Sequence, residues 1–201
     1  MLTHLCHTSL DTTTAYAAAR LCKRHRFRDK RQWQRTGVRV LLQKLLDTLG
    51  ISDTLDESQF PYRLTHSRYY VCFTHSNDNV GVIISCQRSV GIDIEVQDIK
   101  WQVAERFYHT DEIAILSTLT LEQRDIIARW LWQIKESFIK VNQHTLAQGM
   151  GVNYVTIMPV LLSMMTDSIH LPLMVNNKNC SYPQQDYQIM IIPDQQLVIV
   201  F

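Results

Sequence analysis

Two short stretches of this chain combine acids and bases at spacings that build one metal-and-phosphate site. The first, Val90-Gly91-Ile92-Asp93-Ile94-Glu95, alternates apolar and acidic residues. On a β-strand the side chains at i and i+2 share a face, so Asp93 and Glu95 present two carboxylates side by side. The second, Trp132-Gln133-Ile134-Lys135-Glu136-Ser137-Phe138-Ile139-Lys140, reads as a helix on which Trp132, Glu136 and Lys140 stack along one stripe. Mg²⁺ is a hard, octahedral cation that takes one or two carboxylates together with substrate phosphates. Asp93, Glu95 and Glu136 are the candidate ligands for it, with Lys135 and Lys140 beside them to hold phosphate oxygens. Gly91 lets backbone and ligand come close.

Each piece also has an ordinary reading. Alternating acids are what the wet face of any strand shows, and an i, i+4 Glu–Lys pair on a helix surface is worth only ~0.2–0.5 kcal/mol. A third segment, Thr74-His75-Ser76, ends another predicted strand. Its imidazole is able to bond a phosphate, or to be satisfied by the backbone of a turn. No Gly-x-Ser-x-Gly marks a hydrolase nucleophile. Cys6, His7, Cys22 and His25 match no standard zinc spacing.

The elements that must position these residues follow from periodicity. Residues 12–24, alanine-rich behind a run of threonines, predict a helix. A second helix is expected from about Asp29 to Leu49, where Val38, Leu41, Leu42, Leu45, Leu46 and Leu49 recur at helical spacing before Gly50. Three strands follow, at Tyr69–Phe73, Val80–Ser85 and Gly91–Glu95. Then come helices over Lys100–Phe107, Asp111–Leu119 and Leu121–Val141, and strands near Val152–Ile157, Gln188–Ile192 and Leu197–Phe201. Pro193-Asp194-Gln195 joins the last two through a turn. The segment from Pro159 to Pro183 is the least readable. Helices followed by antiparallel strands, twice over, predict an α+β protein of two similar lobes in a pseudo-twofold arrangement, residues 1–89 and 90–201, with helices packed on a small sheet in each.

Composition sets the outer bounds. The 201 residues are 46% hydrophobic and 19% charged, as in a soluble globular protein, and no apolar run approaches the ~18 residues of a membrane span. Five cysteines without a Cys-x-x-Cys pair, and an N-terminus unlike a secretion signal, predict a cytoplasmic protein. Net charge is only +1, yet nine of the twenty Lys and Arg lie between Arg20 and Arg39, where Asp29 is the only acid. Such a cluster attracts polyanions. A nucleic-acid reading would leave both acidic motifs unexplained and finds no recognition motif in the chain.

Together the motifs resemble the 4′-phosphopantetheinyl transferases, in particular the two-lobed, surfactin-synthetase-activating type. That family shows a Gly-(Ile/Val)-Asp-x-Glu strand followed by a Trp-x-x-Lys-Glu-x-x-x-Lys helix, matched here by Gly91–Glu95 and Trp132–Lys140. Arg106-Phe107-Tyr108 with Glu112 is similar to its intermediate segment, and Phe73-Thr74-His75-Ser76 to its Ser-His-Ser strand end. Gln59-Phe60-Pro61-Tyr62 departs from the Gly-Lys-Pro that relatives often carry, and Thr74 replaces a serine.

The resemblance implies transfer of 4′-phosphopantetheine from coenzyme A to a serine of an apo acyl or peptidyl carrier protein, with release of 3′,5′-ADP. It implies Mg²⁺ on Asp93, Glu95 and Glu136, and coenzyme A held by Arg20, Lys23, Arg35, Thr36, Thr74, His75, Lys135 and Lys140. Glu112 is the first candidate for the general base and Glu136 the second, with Lys140 as the catalytic cation. No nucleic-acid or membrane partner is expected, and a two-lobed chain would complete its cleft as a monomer. The alternative is a non-catalytic module binding coenzyme A or a carrier on the same scaffold.

Overall fold

A computed structural model describes residues 2–22, 29–166, 173–176 and 187–201. The chain opens with a hairpin, β1 (Leu2–Ser9) and β2 (Thr14–Leu21), and then forms the long helix α1 (Lys30–Leu49). Asp29 caps α1 by accepting from the Arg31 amide, and Gly50 closes it in the left-handed conformation at φ 68°. Strands β3 (Leu55–Asp56), β4 (Tyr62–Leu64), β5 (Tyr70–Ser76), β6 (Asn79–Ser85) and β7 (Gly91–Ile94) follow. Next come α2 (Trp101–Phe107), α3 (Thr110–Leu116), α4 (Leu121–Asn142), α5 (Leu146–Met150) and, after a 3₁₀ turn at Val155–Ile157, α6 (Met158–Thr166). Strands β8 (Leu173–Asn176), β9 (Gln188–Ile192) and β10 (Leu197–Val200) complete the described chain.

Two antiparallel sheets result. One has the order β1-β2-β6-β5-β4-β3, the other β7-β10-β9-β8. Side-chain alternation makes them the inner layers of a stack. On β2, Ala15, Ala17, Ala19 and Leu21 pack with Val38, Leu41, Leu42, Leu45 and Leu46 of α1. The opposite face of the same sheet, with Tyr16, Ala18, Cys72 and Ile83, packs on Ile92, Ile94, Met190, Ile192, Leu197 and Ile199 of the second sheet. The far face of that sheet, Ile189, Ile191, Val198 and Val200, packs on Ile127, Leu131, Ile134 and Phe138 of α4. The layers therefore run helix, sheet, sheet, helix. No helix among the described residues is long and apolar enough to cross a membrane.

The α+β class stands, with two corrections. Residues 14–21 are a strand where the alanines predicted a helix. Asp11 gathers the Thr13 and Thr14 amides at 2.6 and 2.7 Å, which turns the chain into the hairpin. Alanine suits this strand because both its faces are covered, so tertiary burial overrides helix propensity. Residues 152–157 are a loop and a 3₁₀ turn where β-branched residues predicted a strand, because Asn153 Oδ1 accepts from the Val155 amide at 2.8 Å and starts the turn.

The junction between β7 and α4 is unusually close. A Cβ added to Gly91 would lie 2.1 Å from the Ser137 carbonyl oxygen. That obstacle is helix backbone, which has no rotamer to move. Gly91→Ala is accordingly expected to destabilise the fold by ~2 kcal/mol or more, read as a lowered denaturant midpoint.

Candidate active site

Between α1 and β5 on one side, and β7 and α4 on the other, lies a cleft of about 790 Å³. Asp93 and Glu95 enter it from β7 and the segment just beyond, Trp132, Glu136 and Lys140 from α4, Thr74 and His75 from β5, and Arg35 and Arg39 from α1. The strand that carries the acids is buried at Ile92 and Ile94, and α4 is buried along its Ile127, Leu131, Ile134 and Phe138 stripe. Period 2 and period 3.6 therefore each turn one polar edge toward the same space.

The two strand carboxylates are held in the same way. Thr74 Oγ1 donates to Asp93 Oδ1 at 3.1 Å and accepts from the Ile94 amide at 3.0 Å. Two residues on, Ser76 Oγ donates to Glu95 Oε1 at 2.9 Å and accepts from the Val96 amide at 3.4 Å. Lys140 Nζ adds a bond to Asp93 Oδ1 at 2.9 Å and one to the Ile92 carbonyl at 2.7 Å. Gln133 Nε2 donates to the Asp93 and Gln196 carbonyls, which fixes α4 against β7 and the β9–β10 turn. Glu136 differs from both strand acids: its carboxyl makes no hydrogen bond or ion pair among the described residues.

Burial pushes the Asp93 carboxyl above the ordinary range, against the pull of Lys140 and Thr74. It does the same to Glu136, where Lys140 again opposes and the charges of Asp93 and Glu95 add to the rise. For Lys140 burial disfavours the ammonium, but Asp93, Cys72 and Glu136 hold it above the ordinary lysine value, so it stays charged. Burial depresses His75, with Lys140 adding to the fall against a backbone hydrogen bond and Asp93, which leaves a neutral imidazole near pH 7.

Four expected site residues stand outside the cleft lining, two of them in the core. Glu112 and Lys135 are both fully buried and pair with each other at 2.9 Å inside the α4 core, away from the cleft. Glu112 also accepts from the His109 amide at 3.0 Å and the Tyr154 amide at 2.7 Å, closing the capping box of α3. Lys135 donates further to the Met150 and Val152 carbonyls, between the rings of Tyr108 and Tyr154. Glu112 has no path to a substrate hydroxyl here, and Lys135 none to a phosphate. Thr36 is exposed and bonds the Gln32 carbonyl. Arg20 lines a separate hollow with Asn79 and Gln195. Lys23 lies outside the described residues.

Sequence reasoning missed Arg39, which follows Arg35 by one helical turn, and Glu57 and Tyr62, which carry no motif. It also missed the structural task of Ser76, whose spacing from Thr74 repeats the spacing of Asp93 and Glu95. That shared period of two was the available signal.

Two outcomes are expected. Lys135→Met leaves a buried carboxylate unpaired and should cost ~3–5 kcal/mol, with part regained in the Lys135→Met/Glu112→Gln double variant, both measured by chemical denaturation. A carboxyl raised by folding penalises the native state at pH values above its native pKa, and that penalty vanishes below the unfolded value. Glu136→Gln should therefore raise Tm at neutral pH, with the gain lost below the ordinary carboxylate range.

Comparison with known proteins bears on the same part of the chain. Residues 89–162 match the 4′-phosphopantetheinyl transferase superfamily. A 96-residue stretch is 33% identical to the 4′-phosphopantetheinyl transferase psf-1 of Bacillus pumilus, covering 47% of this chain and 34% of that protein. The chain thus spans about a third of the length of the curated relative it matches. The matched residues contain Asp93, Glu95, Trp132, Glu136 and Lys140, whereas the wall built from α1 and β5 lies before them. The resemblance carried by the two motifs thus extends over residues 89–162, the part of the chain that bears the carboxylates and the Trp132–Lys140 stripe and that is similar to the 4′-phosphopantetheinyl transferase superfamily.

Proposed function

We propose that the protein transfers 4′-phosphopantetheine from coenzyme A to the serine hydroxyl of an apo acyl or peptidyl carrier protein, with Mg²⁺, releasing 3′,5′-ADP. The observation that carries this reading is one cleft lined by Asp93, Glu95, Glu136 and Lys140, drawn from the segment similar to the superfamily. We further read the α1 half, residues 1–89, as the lobe for the nucleotide end and residues 90–201 as the lobe for metal and chemistry. Each has one long helix outside an antiparallel sheet, the layout a two-lobed chain would have. A monomer in the cytoplasm fits the free thiols of Cys22, Cys72 and Cys86.

The donors suit Mg²⁺ in kind. Three carboxylates line the cleft, and among the described residues Glu136 has no protein partner to compete for it. Among the described residues, however, no three acids, histidines or cysteines already stand at ligating distances, and Lys140 occupies Asp93 Oδ1. Asp93, Glu95 and Glu136 would hold the cation, which when bound offsets charge on the pyrophosphate. Lys140 supplies a fixed positive charge at the same place and would bond a phosphate oxygen. Neutral His75 would donate one hydrogen bond to phosphate. The serine oxygen attacks the β-phosphorus, a P–O bond forms to serine, and the bond to the bridging oxygen breaks with 3′,5′-ADP leaving. With Glu112 enclosed, Glu136 is the remaining candidate to take the serine proton, a role that trades against metal ligation.

The second reading, a non-catalytic module that binds coenzyme A or a carrier, is favoured by one observation: Asp93 is already neutralised by Lys140. Intact-mass analysis separates the two. With coenzyme A and Mg²⁺, at least one of several apo carriers should gain the mass of one phosphopantetheinyl group, and Glu136→Ala should abolish the gain. Coenzyme A binding without any mass gain across carriers would favour the module. Mg²⁺ should also raise the Tm of the wild type and leave that of Glu136→Gln unchanged, a check on the metal that needs no turnover.

A further inference from the structure

The hairpin of β3 and β4 has two sides, and only one of them faces the cleft. Glu57 and Tyr62 line the cleft, whereas Asp56, Phe60 and Arg63 line a hollow of about 380 Å³ on the other side. Neighbours in an extended chain point to opposite faces, so the hairpin is the partition between the two spaces. Arg68 and Gln143 complete the hollow. Gln143 caps α4 three residues beyond Lys140, about 4.5 Å further along the helix axis. The hollow therefore adjoins the end of the cleft where Lys140 stands. Among the described residues neither the Arg63 nor the Arg68 guanidinium makes a hydrogen bond or closes an ion pair.

Both arginines are nonetheless held in place. Arg63 lies over the Tyr70 ring, 3.9 Å from its centroid, which fixes the guanidinium plane and leaves its N–H edge free. Arg68 stands at φ 62°, in the left-handed region that L side chains rarely adopt. Asp53 builds the turn that ends there, accepting from the His66 amide at 3.1 Å and from the Ser67 amide and hydroxyl at 2.7 Å. Asp56, the acid of the hollow, accepts from the Ser58 amide at 2.9 Å and feels the charge of Arg68 without pairing with it. Two cations against one acid leave the hollow positive. On its rim Phe60 is 39% exposed and rests edge-on against Tyr62, with ring centroids 5.4 Å apart. Arginine and aromatic side chains are the types that protein interfaces enrich. A small anion would cover no phenyl ring, whereas a protein surface covers ring and cations together.

We propose that this hollow docks the carrier protein: Arg63 and Arg68 receive carboxylates from an acidic segment beside the carrier's serine, and Phe60 packs on an apolar side chain of the same segment. The inference rests on the transfer reading above. The serine hydroxyl has to reach the space beside Lys140 and Glu136, so the body that carries it lies across the adjoining end of α4 and the hairpin. An arginine without a protein acceptor keeps its field for a partner, which steers an acidic surface and fixes its orientation. Neither arginine belongs to the two motifs or to residues 89–162, so this contact is built by the chain's first half.

Transfer kinetics and carrier titration with the full chain test the assignment. With coenzyme A and Mg²⁺ saturating, the Arg63→Glu/Arg68→Glu variant should lower kcat/KM for an apo carrier by roughly 10-fold or more, through KM. Arg68→Glu alone, whose side chain has no bond to lose, should show part of that loss. Coenzyme A affinity by calorimetry should stay within about twofold. The double variant should also lose the fall in kcat/KM that added salt produces in the wild type. Changing acids beside the carrier's serine to lysine should weaken its use by the wild type and restore its use by the double variant. Phe60→Ala should raise KM for the carrier without altering the salt dependence. Unchanged melting temperatures would show that the variants fold. An unchanged carrier KM in the double variant, or an equal loss of coenzyme A affinity, would overturn the docking role. Titration of apo carrier without coenzyme A keeps this proposal apart from the transfer reading. A wild type that binds the carrier without modifying it, with binding lost in the double variant, would support the surface and remove the transfer. A wild type that neither binds nor modifies any carrier would remove both.

Discussion

The cleft depends on how two sheets that share no backbone ladder are stitched across their edge. β5 and β7 belong to different sheets, yet Thr74 and Ser76 each donate to a β7-side carboxylate and accept from the next amide. The hydroxyls replace missing ladder bonds and satisfy the acids in the same stroke. Desolvating a carboxylate costs several kcal/mol unless it is paired or hydrogen-bonded. Asp93 meets that cost with Thr74 and Lys140, and Glu95 meets it with Ser76 and the Gln97 amide. Glu136 has no such partner among the described residues. A site that keeps one acid under-satisfied holds affinity in reserve for a cation or a proton.

Around this seam α4 divides its labour by angle. Ile127, Leu131, Ile134 and Phe138 fill the core beneath the second sheet. Trp132, Glu136 and Lys140 meet the cleft. Gln133 reaches the carbonyl of Asp93, and Ser137 offers its backbone to the bare Cα of Gly91. The glycine in the acidic strand thus serves helix packing; the expectation that it admits a ligand is replaced by a contact between two main chains.

Much of the site could be read from the chain because its signals are short and local. Asp93 and Glu95 share a face by strand period, and Glu136 and Lys140 share one by helix period, and both periods survive folding. Glu112 and Lys135 were misjudged because an acid and a base look alike in sequence whether they face a cleft or each other. Only the fold brings the 3₁₀ connection at Tyr154 against α3. The strand at Thr14–Leu21 was misread because local propensity favours alanine helices, while the deciding fact, cover on both faces, is non-local. Arg39 and Glu57 are eighteen positions apart, and nothing in the sequence pairs them before β3 and β4 bring the intervening segment back over α1.

The buried pair of Lys135 and Glu112 has a consequence for its neighbour. Consecutive residues on a helix point about 100° apart, so anchoring Lys135 to three oxygens inside the core pins the rotational phase of α4 and hence the heading of Glu136. The helix cannot roll to bring its free carboxyl nearer the strand acids. Adjustment on ligand entry falls to side-chain torsions alone, and the aim of the cleft is fixed by a charge that never touches it.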